Sequence, residues 1–244
     1  VHMGKKMNSL RACMTLGGMG TFLAMLAYVC TDNLSTAIII FCITMGLIFI
    51  AHPKVKPFLI AAGVGVALII IFVMILSSSL ETSSSFRLRR ILVWLNPEKY
   101  ASEGGYQIMQ ALYAIGSGGF FGKGLGNSAQ KMIIPEVQND MILSIICEEL
   151  GMIGAGIVII MFVIMMWRIL NSAMTSPDLF SGLICTGVMI HIAAQVVINI
   201  AVVTNSMPST GIPLPFISYG GTSVMILMAE MGLVLGISTK CKST

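Results

Sequence analysis

Stretches of about twenty apolar residues recur along the chain and constrain its fold more than any motif does. A helix that crosses the hydrocarbon core of a bilayer needs about 20 predominantly apolar residues. Stretches that meet or approach this length lie at residues 12–30, 34–51, 57–79, 140–168, 179–204 and 213–238. Hydrophobic residues make up 56% of the 244 residues and charged residues only 10%, which is far from the usage of a soluble domain. We therefore predict an all-α polytopic membrane protein with about six transmembrane helices, forming a single membrane domain over residues 1–244.

Positive charges mark alternate connections between these segments. Cations occur in residues 1–11, 52–56 and 168–178 and in the C-terminal tail, whereas the turns at 31–33 and 204–212 carry none. The positive-inside rule then places both termini in the cytoplasm and makes residues 80–139 a long extracytoplasmic loop. The net charge of +4 is small, and its placement matters more than its size. As partners we expect membrane lipids and no nucleic acid.

Two connecting segments have compositions that favour unusual backbone. Within the 80–139 loop, short helices are expected at Arg87–Leu95 and at Tyr106–Ile115, the second lying at the membrane surface. The following stretch, Gly116–Gly126, holds six glycines in eleven residues, which permits close approach to a ligand. Residues 208–221 contain three prolines and three glycines at a membrane boundary. Broken backbone there requires a protein or water-filled surrounding, so we expect this segment to approach the same cavity as Asp140.

Three carboxylates at the start of the fourth apolar segment are candidates for chemistry. Asn139 suits a helix N-cap, and Asp140 would then lie in the first turn, where the helix dipole favours its ionised form. Such an aspartate could act as a general base, although an aspartate in a first turn more often only compensates the dipole. Glu148 and Glu149 suit either a buried structural pair or the polar wall of a cavity. Both interpretations of these two residues stay open.

Other polar residues within the apolar segments are isolated. We expect His191 and Glu230 to form hydrogen bonds between helices. The six cysteines include no CxxC pair and the three histidines are far apart in sequence, so we predict neither a disulfide framework nor a metal site. The cations of the long loop could bind phosphate or lipid headgroups, and these are Arg87, Arg89, Arg90, Lys123 and Lys131.

Four ordered stretches resemble the SEDS family (shape, elongation, division and sporulation proteins), and most closely its FtsW/SpoVE branch. They read FRLRRILVWLNP (86–97), GGYQIMQALYAIGSGGFFGKGLGNSAQK (104–131), PEVQNDMILSIICEELGMIGA (135–155) and NIAVVTNSMPSTGIPLPFISYGGTS (199–223). Members of that family have ten transmembrane helices, and the six segments predicted here correspond to the last six. The resemblance therefore implies that the chain is a fragment or a truncated product of such a protein.

The resemblance also implies an activity. SEDS proteins are peptidoglycan glycosyltransferases that polymerise lipid II (undecaprenyl-pyrophosphate-linked disaccharide peptide) at the outer face of the bacterial plasma membrane, as inverting hexosyltransferases, for cell division or sporulation. The family's essential carboxylate corresponds to Asp140, which becomes the predicted catalytic base. A class B penicillin-binding transpeptidase is the implied partner, and a divalent cation (Mg²⁺ or Mn²⁺) could assist.

Further site residues are assigned on the same basis. Those predicted to bind substrate are Arg87, Arg90, Lys123, Lys131, Glu136, Ser218 and Tyr219, and those predicted to form the polar part of the cavity are Glu148, Glu149 and Asn199. Two alternatives remain at this stage. Broken helices and buried carboxylates also suit a flippase or transporter of lipid-linked precursors, and a six-helix chain could be an inactive scaffold that binds a transpeptidase.

Overall fold

Helices account for most of the part of the chain that the structure describes. The computed structural model describes residues 10–31, 34–51 and 86–241, and within these ranges there is no β-strand. The α-helices are α1 (Leu10–Thr31), α2 (Leu34–Ala51), α3 (Phe86–Leu95), α4 (Gly105–Gly118), α5 (Ile142–Met174), α6 (Leu179–Val203) and α7 (Gly221–Cys241). The predicted transmembrane segment at 57–79 lies outside the described residues. The all-helical, polytopic fold class is confirmed.

The long apolar helices agree with the sequence pattern, with two boundaries that differ clearly. Helix α5 extends to Met174 and not to 168 as predicted. Within the described residues, α5, α6 and α7 are long and apolar enough to cross a membrane, and shorter apolar helices lie within α1 and α2. The last helix begins at Gly221 and not at 213 as predicted. Pro213 and Pro215 explain the later start, because proline lacks the backbone N–H group that a helix interior uses.

The predicted long loop contains two helices, as expected. The predicted helices at 87–95 and 106–115 are present as α3 and α4. Helix α4 packs along α5, and its expected position at the membrane surface stays a prediction. Its contact face is the stripe formed by Ile108, Ala111 and Ala114, all of which are buried.

Helix α6 is the centre of the bundle. It packs against α2, α5 and α7, while α1 packs against α2. Cys185, Ile192, Val196 and Val203 of α6 are almost completely buried. At the N-terminus of α6, Asp178 precedes the helix and accepts a hydrogen bond from the Ser181 N–H at 3.0 Å, which is a typical N-cap interaction.

Helix α5 is interrupted near its first third, which the sequence analysis did not predict. Gly151 has φ 69° and ψ −173°, a conformation in which essentially only glycine is found. The segment predicted as one continuous helix over 140–168 therefore consists of a short first part, residues 142–150, and a long second part, residues 152–174.

The glycine-rich loop after α4 satisfies the carbonyl groups left free by this interruption. The Lys123 N–H donates to the Glu148 carbonyl at 2.9 Å, and the Gly124 N–H donates to the Glu149 carbonyl at 2.9 Å. These carbonyls are the last of the first part of α5 and have no partner within that helix.

The same loop also satisfies the N–H groups that open the second part of α5. The Met152 N–H donates to the Gly119 carbonyl at 2.9 Å, and the Ile153 N–H donates to the Phe120 carbonyl at 3.3 Å. A break in a membrane helix is tolerated when neighbouring protein satisfies the freed backbone groups, and this loop does so on both sides. The close approach expected of the glycine-rich stretch is therefore an approach to α5.

We predict that Gly151→Ala destabilises the protein. A Cβ atom at Gly151 would lie 2.4 Å from the Gly122 backbone nitrogen and 2.4 Å from the Phe120 carbonyl oxygen, and the backbone angles would be strained in addition. The strain alone is worth about 1–3 kcal/mol. Thermal unfolding in detergent should show a clear fall in Tm. Gly156→Ala in the same helix is the control, because its Cβ would meet nothing within 4 Å, and an equal fall in both variants would contradict the prediction.

Candidate functional site

Asp140 lies just before α5 and is held through its backbone. Met141 occupies the position before the first helical residue, so Asn139 is not the N-cap and Asp140 is not in the first turn, contrary to the sequence-based expectation. The Asn199 side-chain amide of α6 donates to the Asp140 carbonyl at 2.8 Å and to the Ile212 carbonyl at 2.8 Å. Asn199, which is 1% exposed, thus ties Asp140 to the 208–221 segment.

A second contact joins the same two segments. The Tyr219 N–H donates to the Gln138 carbonyl at 2.8 Å, two residues before Asp140 in the sequence. Ser218 is buried, and its hydroxyl accepts from the Leu214 N–H at 2.7 Å, so this side chain stabilises the bend between Pro213 and α7. The Tyr219 side chain is exposed. The 208–221 segment therefore contacts the Asp140 segment, with Ser218 facing inward and Tyr219 outward. The expectation that both approach one cavity stays a prediction.

The surroundings of Asp140 alter its ionisation. Partial burial raises the pKa of the Asp140 carboxyl above its ordinary value, and the negative charge of Glu136 acts in the same direction. A hydrogen bond from its own backbone and the positive charge of Arg90 act in the opposite direction, but the pKa remains raised. Glu136 is exposed, has φ 49° and accepts from the Asn139 amide at 3.0 Å, so the turn before α5 keeps both carboxylates at one surface. A carboxyl with a raised pKa suits proton transfer better than an ordinary aspartate does.

The predicted cations are divided among different places. The Arg90 guanidinium donates to the Ser209 carbonyl at 3.3 Å, which brings α3 to the 208–221 segment beside Asp140. Lys131 is exposed in the turn that follows the glycine-rich loop. Lys123 is bound to Glu148 at 2.7 Å, so its charge is already neutralised within the protein. The side chain of Arg87 lies outside the described residues. The roles of these four residues in substrate binding stay predictions.

Glu148 is the centre of a dense hydrogen-bond network. Its side chain is 0% exposed and receives five donors, which are Lys123 Nζ at 2.7 Å, Ser117 Oγ at 3.4 Å, Ser128 Oγ, and the backbone N–H groups of Ala129 and Gln130 at 3.3 Å each. These donors come from the end of α4 and from both ends of the glycine-rich loop. Of the two interpretations left open for this residue, the geometry favours the buried structural pair.

Glu149 differs from its neighbour. One of its carboxylate oxygens, Oε1, is buried and has no hydrogen-bond partner among the described residues. Adjacent positions on a helix point about 100° apart, which accounts for the separate surroundings of the two glutamates. The predicted part of Glu149 in a polar cavity wall stays a prediction.

His191 and Glu230 join α6 to α7, as the sequence predicted. The His191 Nδ1 lies 2.9 Å and 3.0 Å from the two Glu230 carboxylate oxygens. The sequence analysis missed Gln195, whose amide lies 3.0 Å from His191 Nε2. Its position four residues after His191 is the signal that could have revealed it, because residues at this spacing share one helix face.

Two cavities follow one another along the groove between α2, α6 and α7. One of about 480 Å³ is lined by polar residues including Ser35, Gln195 and Thr222 and by residues 211–213, and another of about 540 Å³ is mainly apolar. His191 lines both. Asp140 is not among the described residues that line either cavity. The 208–221 segment therefore contacts the Asp140 backbone and a cavity at once, but the carboxylate itself faces neither.

We predict that Glu148→Gln lowers stability by about 2–3 kcal/mol. The glutamine NH₂ group would face groups that are themselves hydrogen-bond donors, and Lys123 would lose its negatively charged partner. The measurement is the free energy of unfolding in denaturant. Glu98→Gln, at an exposed glutamate of the 80–139 loop, is the matched control and should change stability by less than about 0.5 kcal/mol. A cycle that adds Lys123→Met should show strong coupling with Glu148, and additive effects would contradict the network described here.

Comparisons with known sequences support a family relationship over nearly the whole chain. A family model of the FtsW, RodA and SpoVE proteins, described as "Cell cycle protein", matches residues 3–243. Stage V sporulation protein E of Bacillus subtilis is 38% identical over 218 residues, which cover 89% of this chain and 57% of the relative. A probable peptidoglycan glycosyltransferase FtsW of Trichlorobacter lovleyi is 44% identical over 164 residues, or 67% of this chain and 43% of the relative.

Solved structures share the fold. A chain in a structure described as "Structural coordination of polymerization and crosslinking by a peptidoglycan synthase complex" aligns with a TM-score of 0.72 at 22% identity, over 93% of this chain and 61% of the other. The rod shape determining protein RodA of Thermus thermophilus aligns with a TM-score of 0.60 at 21% identity, over 97% of this chain and 61% of the other. The chain thus spans about three-fifths of the length of these solved chains. It spans 57% and 43% of the length of the two sequence relatives.

Proposed function

Because the chain belongs to the FtsW/RodA/SpoVE family of cell cycle proteins, which serves cell-wall synthesis, we propose that its site transfers glycosyl groups from lipid II to a growing glycan strand. The observation that carries this proposal is the placement of Asp140. Its backbone is fixed to α6 and to the 208–221 segment, while its carboxyl remains partly exposed with a raised pKa. A positioned carboxylate beside cations is the arrangement that a glycosyl transfer from a pyrophosphate requires.

The proposed reaction is a single displacement with Asp140 as general base. The 4-hydroxyl of the acceptor sugar attacks the anomeric carbon of the donor, and Asp140 takes the hydroxyl proton. The new glycosidic C–O bond forms as the bond from the anomeric carbon to the pyrophosphate oxygen breaks, and the lipid pyrophosphate leaves with the electron pair. Arg90 and Lys131 would stabilise the charge on that leaving group. The configuration at the anomeric carbon is inverted.

A divalent cation stays part of the prediction without a step of its own. Asp140 and Glu136 supply oxygen ligands of the kind that Mg²⁺ and Mn²⁺ prefer. Among the described residues no group of three or more His, Cys, Asp or Glu side chains is placed to hold a metal ion.

The proposed setting is the bacterial plasma membrane. We assign both termini to the cytoplasm and Asp140 to the outer face, in agreement with the positions of the cations. A class B penicillin-binding transpeptidase is the proposed partner, since a structurally similar chain comes from a complex described as coordinating polymerization and crosslinking. Division and sporulation are both possible settings for the reaction, given relatives named FtsW and Stage V sporulation protein E.

We predict that Asp140→Asn abolishes polymer formation from fluorescent lipid II, because the amide keeps the size of the side chain but cannot accept the proton. Loss of a general base typically costs about 100-fold or more in rate. Since the chain covers 57% of its sporulation relative, the assay includes the chain alone and a fusion to the preceding helices of that relative, each with and without a cognate transpeptidase.

Asp178→Asn is the matched control for this assay, because it makes the same change at the opposite end of α5 and should leave the rate unchanged. Polymer that persists in Asp140→Asn would move the base elsewhere, with Glu136 as the nearest carboxylate. Folded protein that moves lipid II between leaflets without polymerising it would support the flippase alternative, and binding of transpeptidase alone would support the scaffold.

The dependence of the rate on pH gives a separate prediction. The base form of Asp140 is lost as the pH falls through its pKa, and since that pKa is raised, the acid limb should lie above the range of an ordinary aspartate. Glu136→Gln removes a negative charge and should move the limb to lower pH, whereas Arg90→Gln removes a positive charge and should move it to higher pH. Lys131→Gln should change the rate and leave the midpoint in place. A limb that stays fixed in both the Glu136 and Arg90 variants would show that another group is titrating.

A further inference from the structure

The length of the second part of α5 locates the membrane boundary. Residues 152–174 make 23 residues of helix, which span about 35 Å at 1.5 Å per residue. The hydrocarbon core of a bilayer is about 30 Å thick, so this part alone is sufficient to cross it. Residues 142–150 are therefore not needed to cross the core, which is consistent with a bilayer boundary at the Gly151 interruption, on the same side as Asp140.

The glycine-rich loop exposes large apolar side chains at this boundary. Phe120 is 75% exposed, Phe121 85% and Leu125 76%. The loop is not loosely placed, because its backbone is bound to both parts of α5 and its two ends are bound to Glu148. Large exposed apolar side chains on a fixed backbone mark a surface that contacts either a membrane or another protein.

This apolar surface is continuous with the exposed apolar side of α5. The Phe120 carbonyl accepts from the Ile153 N–H, so the loop meets the helix where the exposed face of α5 begins. Met152, Ile153 and Ile157 are about half exposed and start an apolar stripe that continues down the helix. Because a membrane-spanning helix presents this stripe to acyl chains, the same acyl chains reach the loop.

We propose that Phe120, Phe121 and Leu125, the apolar tip of the loop, insert into the membrane leaflet on the Asp140 side. The occupant of this surface is the lipid bilayer. Lys131, which is exposed later in the same segment, lies where a cation can contact lipid phosphate. The insertion is independent of which reaction Asp140 performs. Its consequence is that it positions Asp140 relative to the membrane surface. Residues 127–139 connect the loop to Asp140 and are anchored by the buried side chains of Ile134 and Val137, so insertion of the tip sets the height of that carboxylate relative to the lipid headgroups.

Fluorescence of a single tryptophan at the tip tests the proposal. Trp94 and Trp167 are replaced by Phe, Phe121→Trp is added, and the full chain is reconstituted in phosphatidylcholine/phosphatidylglycerol vesicles with iodide available on both sides. We expect strong quenching by lipids brominated near the headgroup end of the acyl chain, weaker quenching by lipids brominated near the chain end, and at least fivefold less quenching by iodide than in the control. Leu125→Trp in the same background should behave alike and guards against misfolding of one variant.

Two controls bracket the result. Glu98→Trp places the probe at an exposed polar position of the same loop region and should be quenched by iodide and not by brominated lipid. A chain that retains only Trp167, which is 62% exposed on the lipid-facing side of α5, should be quenched by brominated lipid. The proposal is overturned if both tip probes respond to iodide as Glu98→Trp does. It is equally overturned if neither iodide nor brominated lipid quenches them, since a protein surface would then cover the tip.

Discussion

The interruption of α5 at Gly151 is the constraint on which the rest of the site depends. A backbone break inside a membrane helix frees carbonyl groups on one side and N–H groups on the other, and each is costly unless it finds a partner. One loop supplies all four partners seen here, using the N–H groups of Lys123 and Gly124 and the carbonyls of Gly119 and Phe120. The loop can come close enough only because glycines face each other across the contact, as at Gly122 and Gly151. The break also allows residues 142–150 to turn away from the membrane-spanning part and carry Asp140 toward α6.

The hydrogen-bond network of the Glu148 carboxylate reinforces this backbone arrangement. A buried carboxylate is tolerated only when its charge and its acceptor sites are satisfied, and five donors from the loop and the end of α4 meet that requirement. The Glu148 side chain holds the loop from the N-terminal side of the break, and the backbone contacts hold it from both sides. The segment from the loop to Asp140 is further anchored by the buried side chains of Ile134 and Val137. Asp140 therefore occupies a defined position although it lies outside regular secondary structure.

The fold was predictable from the sequence because apolar length and helical periodicity report directly on membrane helices. The bounds 34–51 for α2 coincide with the prediction, and helix α4 followed from the apolar stripe at helical spacing in Tyr106–Ile115. The break at Gly151 was not predictable, because a glycine in an apolar run is equally compatible with an unbroken helix. Likewise, the sequence analysis treated Lys123 as a cation available to substrate. A sequence does not reveal that Glu148, 25 positions away, neutralises its charge. Motif resemblance identified Asp140, whereas its contacts with Asn199 needed the three-dimensional structure.

The carboxylates near the break differ in how much of their bonding capacity is still free, and this difference decides which of them suits proton transfer. Glu148 is fully buried and its oxygens are occupied by five donors, so accepting a proton would require some of these hydrogen bonds to break. Glu136 is exposed, and its partner is the neighbouring Asn139 in a surface turn. Asp140 alone combines a backbone fixed by Asn199, partial exposure and a raised pKa. A base must be held in place and yet have an oxygen free for substrate, and of these three residues only Asp140 meets both conditions.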